Sequence, residues 1–262
     1  MVAIDREKCI GCGLCAADCC MANIITENGK ASLKRQSCIR CGHCVAICPQ
    51  GAVSIPEYDM TDVEPLAYGG ISPEILLKSI KSRRSIRKYK QKPVSKEAIE
   101  QLIQAGRYTA TAKNQQDNRF VFVADRLEEL KKLTRGVIDT FTPEDISTMD
   151  PQLKIYAKFN MRFKADPKDD YLFQNAPVLL VIAGRREFDA GMAAQNIESM
   201  AVAMGLGALY NGYLKGLFNS STEIKSWLGI EDKEILCCML LGYPDINYLR
   251  TAPRAAADAV IL

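Results

Sequence analysis

Eight cysteines set the chemical question. Cys9, Cys12, Cys15 and Cys19 follow the spacing C-x2-C-x2-C-x3-C, and Cys38, Cys41, Cys44 and Cys48 repeat it, each 29 residues after its counterpart. Nine of the 11 cysteines fall in the two stretches "CIGCGLCAADCC" and "CIRCGHCVAICPQG", which therefore form an internal repeat as well as a motif. Three chemistries compete for such a pattern. Disulfides fit poorly, because consecutive three-residue steps close no useful loop and "MVAIDREKCIG" lacks the apolar h-region of a secretory signal. Zinc is the serious rival, since four thiolates satisfy a tetrahedral ion, but zinc knuckles normally pair across a longer loop. Here three cysteines come at three-residue steps, a fourth follows four later, and Pro49 closes the second set. That is the run used by [4Fe–4S] clusters.

The spacing also dictates the elements that must position the sulfurs. A tight loop wraps three corners of a cubane, while the fourth cysteine, at the start of the next element, points to the other cluster. The expected ligand sets are Cys9, Cys12, Cys15 with Cys48, and Cys38, Cys41, Cys44 with Cys19. Gly11, Gly13 and Gly42 let the backbone turn and bring amide N–H groups toward sulfur. "ANIITENGKASL" and "GAVSIPEY" read as short strands, with a turn at Asn28-Gly29. Over their whole length the first 60 residues resemble bacterial two-cluster ferredoxins. Cys20 departs from that pattern, standing where a proline is expected, and reads as a packed thiol or a substitute ligand. His43 is the only histidine and reads as a loop residue beside a cluster, so Ser-His and Cys-His nucleophiles are excluded. Acidic and basic side chains balance over residues 1–60, which leaves no one-signed face to steer a soluble partner. A tethered electron relay needs little steering.

Iron–sulfur clusters pass single electrons, so the rest of the chain should hold an acceptor. The chain divides into a cluster domain over residues 1–60, a linker over 61–75 and a larger domain over 76–262. In the last, helices are expected at "SPEILLKSIKSRR", opened by Pro73, at "SKEAIEQLIQAG", capped by Ser95, and at "DAGMAAQNIESMAVAMG". Strands are expected at "RFVFVA", "PVLLVIA" and "EILCCMLLGY", where Cys237 and Cys238 read as core. The fold class is α+β, a small ferredoxin-like two-cluster domain followed by an α/β domain with helices around a central sheet. "RRSIRKY" gathers Arg83, Arg84 and Arg87 around Ser85, and "YLRTAPR" adds Arg250 and Arg254. Guanidinium forks and a hydroxyl suit a phosphate monoester. Asn114 and Gln116 offer side-chain amides that suit a heterocycle edge. Together these stations point to a flavin phosphate.

Residues 76–262 resemble the nitroreductase family of FMN enzymes. "RRSIRKY" matches its R-x-S-x-R-x-[FY] opening, "TAKNQQDNRFVFV" the segment usually ending S-x-N-x-Q-P-W-x-F, "AAQNIESMAVAMGLGALYNGY" the central helix, and "LGYPDINYLRTAPR" the closing segment. The resemblance implies that Arg83, Arg84, Ser85, Arg87 and Arg254 hold the FMN phosphate or ribityl end, with Arg250 nearby. It implies that Asn114 and Gln116 meet the ring edge and that backbone at Asn211-Gly212 approaches N5. It also implies a homodimer with FMN at the subunit interface, for which Gly191, Ala193, Ala194 and Ala201 would suit close helix packing. Asp117 and Asn118 replace the usual proline and tryptophan, so substrate preference is expected to differ. No catalytic side chain stands out, as expected where the flavin itself carries the chemistry.

The function expected is an oxidoreductase passing electrons through two [4Fe–4S] clusters to FMN and on to a small electron-poor acceptor, such as a nitroarene or quinone. The donor is a reduced ferredoxin-like protein or NAD(P)H, which in this family docks over the flavin, since no strand-turn-helix G-x-G-x-x-G occurs. The rivals are a reductase of a specific C=C or carbon–halogen bond and a redox sensor without turnover. A net charge of +3 without a basic block predicts no nucleic-acid partner. The absence of a long apolar run predicts no membrane span, and free thiols predict a cytoplasmic chain.

Overall fold

The computed structural model describes residues 1–34, 37–66, 70–141 and 154–262. It separates into two compact units, Met1–Gly70 with Thr111–Gln116, and Ile71–Ala110 with Asp117–Leu262. This departs from the expected contiguous division, because the loop carrying Asn114 and Gln116 groups with the first unit. Nor is 61–75 all linker. Ser72 accepts a hydrogen bond from the Ile75 N–H and Pro73 occupies the first helical position, so a helix begins inside that stretch. Residues 67–69 of the expected linker lie outside the described residues.

In the first unit, β1 (Ala3–Ile4) pairs antiparallel with β4 (Val53–Ser54), and β2 (Ile24–Glu27) with β3 (Lys30–Leu33). The second pair is a two-residue hairpin, with Asn28 and Gly29 at φ 52° and 71°; Asn-Gly is the dipeptide that accepts those angles most readily. Two four-residue helices, α1 (Leu14–Ala17) and α2 (His43–Ala46), each start after a glycine in the left-handed region, Gly13 and Gly42. Gly11 is required more strictly. Its φ is 70°, and a Cβ there would lie 2.0 Å from the Gly29 carbonyl oxygen.

The second unit is built on a four-stranded antiparallel sheet ordered β5 (Arg119–Val123), β6 (Val178–Gly184), β8 (Glu234–Gly242), β7 (Gly207–Tyr210). Every residue of β6 is buried, so helices must cover both faces. Alternation decides which face each side chain serves. Val178, Leu180 and Ile182 join the core beneath α4 (Lys96–Arg107) and α7 (Glu187–Ala203). Leu179, Val181 and Ala183 join the core beneath α5 (Leu127–Asp139), α6 (Lys154–Ala165), α8 (Gly212–Ser220) and α9 (Thr222–Trp227). A register shift at Ile182/Ala183 inserts Leu236 into β8, so Leu236 and Cys237 both serve the first of these cores while Cys238 enters the second, 2% exposed. On α7, Ala193, Ala194 and Ala201 are fully buried, but Gly191 is exposed. α3 (Pro73–Ser82) is different. It buries none of its residues.

Candidate metal centres and cofactor cavity

The first unit gathers its cysteines into two cavities. One is lined by Cys9, Cys12, Cys15 and Cys48, together with Pro49 and apolar residues that include Ala31 and Val53. The other is lined by Cys19, Cys20, Cys38, Cys41 and Cys44, with Ile24 and His43 in its wall. Each helix contributes one buried cysteine, Cys15 or Cys44, and the residues just past its end carry the sulfur that serves the other cavity. The chemistry of the donors fits a cluster. Backbone N–H groups of Ala31 and Ala52 donate to Sγ of Cys9 and Cys48 at 3.3 and 3.2 Å, and those of Asn23 and Arg40 to Sγ of Cys19 and Cys38 at 3.4 and 3.3 Å. Such bonds orient thiolates and moderate their charge. The Ala31 N–H, aided by that of Gly11, holds Cys9 below the ordinary thiol range. Burial pushes the Cys44 thiol up to about 11, so iron must displace its proton to bind. Of the two readings of Cys20, packing is not supported, because the residue is exposed.

Asn114 and Gln116 also belong to this unit. Asn114 Nδ2 donates to the carbonyls of Ile39 and Arg40 at 3.2 and 2.8 Å, and Gln116 Nε2 donates to Asn114 Oδ1 at 3.0 Å. Both residues have positive φ, 54° and 50°, so the loop is a shaped one rather than a run of extended chain.

In the second unit a cavity of about 620 Å³ opens beside the β7–α8 junction, lined by Arg87, Tyr156, Tyr171, Gln174, Tyr210, Asn211, Gly212 and Tyr213 among others. The junction is rigid for a local reason. Asn211 caps α8 by accepting from the Leu214 N–H at 3.0 Å, and its Nδ2 donates to the Leu172 carbonyl at 2.7 Å. Its side chain is thus spent on structure, and what it presents is backbone. Tyr156 donates its hydroxyl to the Tyr213 carbonyl at 2.7 Å, and burial pushes it up to about 12. A Cβ at Gly216 would lie 2.7 Å from that hydroxyl, so glycine keeps this wall open.

The arginine motif runs along the sheet edge. Ser85 bridges Ala208 of β7, the Ile86 N–H donates to the Ala208 carbonyl at 3.0 Å, and buried Tyr89 donates to the carbonyls of Ile86 and Leu240. Its arginines then diverge. Arg83 Nη1 is paired at 3.0 Å with Glu198, whose side chain is 1% exposed. Arg84 donates to the carbonyls of Lys81 and Arg83. Arg87 reaches the cavity wall, and no carboxylate among the described residues pairs with it. Arg250 and Arg254 lie exposed on the segment after Asp245, which has no helix or strand, and Arg254 donates to the Pro253 carbonyl. Of the expected flavin-site residues, the cavity wall brings together Arg87, Asn211 and Gly212. The four tyrosines and Glu198 escaped the sequence reading. A pair of tyrosines flanking Asn211-Gly212, and a lone acid on the apolar face of α7, were the signals available.

Known proteins match both units. The nitroreductase family profile matches residues 80–243, and a 4Fe-4S dicluster domain profile matches residues 1–49. An NADPH-flavin oxidoreductase of Vibrio harveyi is 29% identical over 188 residues, covering 71% of this chain and 72% of that protein. In fold, the chain is similar to a nitroreductase with bound FMN from Bacteroides fragilis, with a TM-score of 0.57 at 20% identity over 71% of this chain and 97% of that one. A second FMN-bound nitroreductase, from Desulfitobacterium hafniense, gives a TM-score of 0.56 at 21% identity over the same shares.

Proposed function

From the premise that this chain belongs to the nitroreductase family and carries a 4Fe-4S dicluster domain over residues 1–49, we propose that it is an iron–sulfur flavoprotein oxidoreductase. It binds two [4Fe–4S] clusters and one FMN per chain and delivers electrons to a small electron-poor acceptor, such as a nitroarene or quinone. The donor is a reduced ferredoxin-like protein or NAD(P)H, and the setting is the cytoplasm. Among the described residues no helix is long and apolar enough to cross a membrane. The observation that carries this reading is the coexistence, in one chain, of two cysteine-lined cavities, one with four cysteines and one with five, and a tyrosine-walled cavity with an arginine at its edge.

FMN, when bound, exchanges electrons singly with a cluster and as a hydride with an organic acceptor. The chain's own residues divide the work of holding it. Arg87 supplies the charge for the phosphate, with Ser85 beside it on the sheet edge and Arg84 as a further donor. Arg83 acts at one remove, because Glu198 neutralises it. Backbone at Asn211 and Gly212, held still by the α8 cap, faces the ring. The tyrosines supply flat apolar walls that exclude water. The exposed side of α3 supports a homodimer. Ile75, Leu76, Leu77 and Ile80 are 48–66% exposed there, which is the face an amphipathic helix normally covers.

Strictly anaerobic purification followed by metal, sulfide and flavin analysis tests the reading. About eight iron, eight sulfide and one FMN per chain are expected, and stoichiometric zinc with little iron would overturn it. Stopped-flow reduction with NADH, NADPH and a reduced ferredoxin then identifies the donor.

A further inference from the structure

The two cysteine cavities are built from one repeat, so equivalent wall positions can be compared within a single chain. Pro49 walls the first cavity, and its counterpart 29 residues earlier, Cys20, walls the second. Where the first cavity has four cysteines and a pyrrolidine ring, the second has five cysteines. A thiol that only filled space would be buried, as Cys238 is at 2% exposure. Cys20 is exposed and shares the wall of that cavity with Cys41.

The other sulfurs of that cavity are held by their surroundings. Among the described residues, the Asn23 N–H holds Cys19, the Arg40 N–H holds Cys38, and burial holds Cys44. Cys41 is half-exposed, as Cys19 and Cys38 are, but among the described residues no backbone N–H donates to its sulfur, and it shares the cavity wall with Cys20. We propose that Cys20 is a reserve ligand of the second cluster, taking the iron corner of Cys41 when that thiolate is withdrawn. The proposal rests on the two-cluster reading above. The exchange is balanced without an oxidant. Cys20 gives up its thiol proton, Cys41 takes one, one iron–sulfur bond replaces another, and no electron changes hands. Thiolate ligands are lost most readily where solvent reaches them and no backbone donor holds them, and among the described residues Cys41 is the sulfur of the second set that is neither buried nor held by a backbone N–H.

The test compares Cys41→Ala with Cys12→Ala, its counterpart in the first cavity, each with and without Cys20→Ala. Iron per chain and the electron paramagnetic resonance spectrum of the dithionite-reduced protein are read. Wild type should carry about eight iron per chain, and markedly less would sink the two-cluster reading, and this proposal with it, before any variant is made. Cys41→Ala should keep wild-type iron with an altered second-cluster signal, whereas Cys12→Ala should lose iron. Adding Cys20→Ala to Cys41→Ala should remove about four iron. Loss from Cys41→Ala equal to that from Cys12→Ala, or full iron in the double variant, overturns the proposal. Should the ligand variants fail to fold, Cys20→Ala alone keeps all eight ligands. Under ferricyanide its second-cluster signal should decay several-fold faster than wild type, and equal decay overturns the proposal.

Discussion

The two units solve the problem of burial in opposite ways. In the first, candidate ligands are part of the core: Cys9, Cys15 and Cys44 are buried among Val2, Ile24, Ala31, Ala52, Val53 and Ile55. Its strands have two or four residues and its helices four, too little regular structure to stabilise a unit of this size without help. In the second, a fully buried seven-residue strand is covered on both faces, and the candidate cofactor cavity lies beside the core rather than inside it. A metal that completes a core is inseparable from folding. A ligand that docks beside one adds stability only in proportion to its binding.

The largest effect should come from removing iron. Chelation of the full-length protein should abolish amide exchange protection through Ala3–Ser54 while β6 and β8 keep theirs. Equal loss in both units would break the comparison. Next is Arg83→Ala, which removes the charge partner of the buried Glu198 carboxylate and leaves it the long hydrogen bond from the Tyr210 hydroxyl at 3.5 Å. It should destabilise the second unit by about 2–3 kcal/mol, less than a fully buried pair because Arg83 is 30% exposed. Urea unfolding checks this, and adding Glu198→Gln should recover part of the loss. Arg87→Ala should do the reverse, leaving flavin-free stability close to wild type. Charge-assisted hydrogen bonds are worth about 1.5–3 kcal/mol, so FMN affinity, followed by fluorescence titration, should fall roughly 10- to 100-fold. Unchanged affinity would mean that the phosphate is held elsewhere. The smallest effect is expected from Ser95→Ala, which removes the hydroxyl that caps α4 at 3.2 Å. It should cost the second unit about 1 kcal/mol and leave iron and flavin content alone.

Much of this was legible in the order of residues. Cysteine spacing named eight sulfurs and two sets of four, and the cavities gather those sets, the second with Cys20 in addition, because three members of each set lie within seven residues and a repeat supplies the fourth. Asn28-Gly29 announced the hairpin, Ser95 and Pro73 announced helix starts, and apolar runs announced β5, β6 and β8. These features depend on neighbours a few residues away, and such distances are written in sequence directly. What the tertiary structure decided depends on neighbours far away along the chain. Arg83 and Glu198 are 115 residues apart, so no local pattern could say that one arginine of "RRSIRKY" is neutralised while Arg87 keeps its charge for the cavity. The tyrosine walls draw on α6, β7, α8 and the loop before β6, and they meet only once the sheet has ordered β7 beside β8. Asn114 and Gln116 were legible as amides, but not as members of the first unit, since grouping is decided by which backbone carbonyls come within reach after folding. Ligand type and local geometry belong to the sequence; pairing, burial and the charge left over belong to the fold.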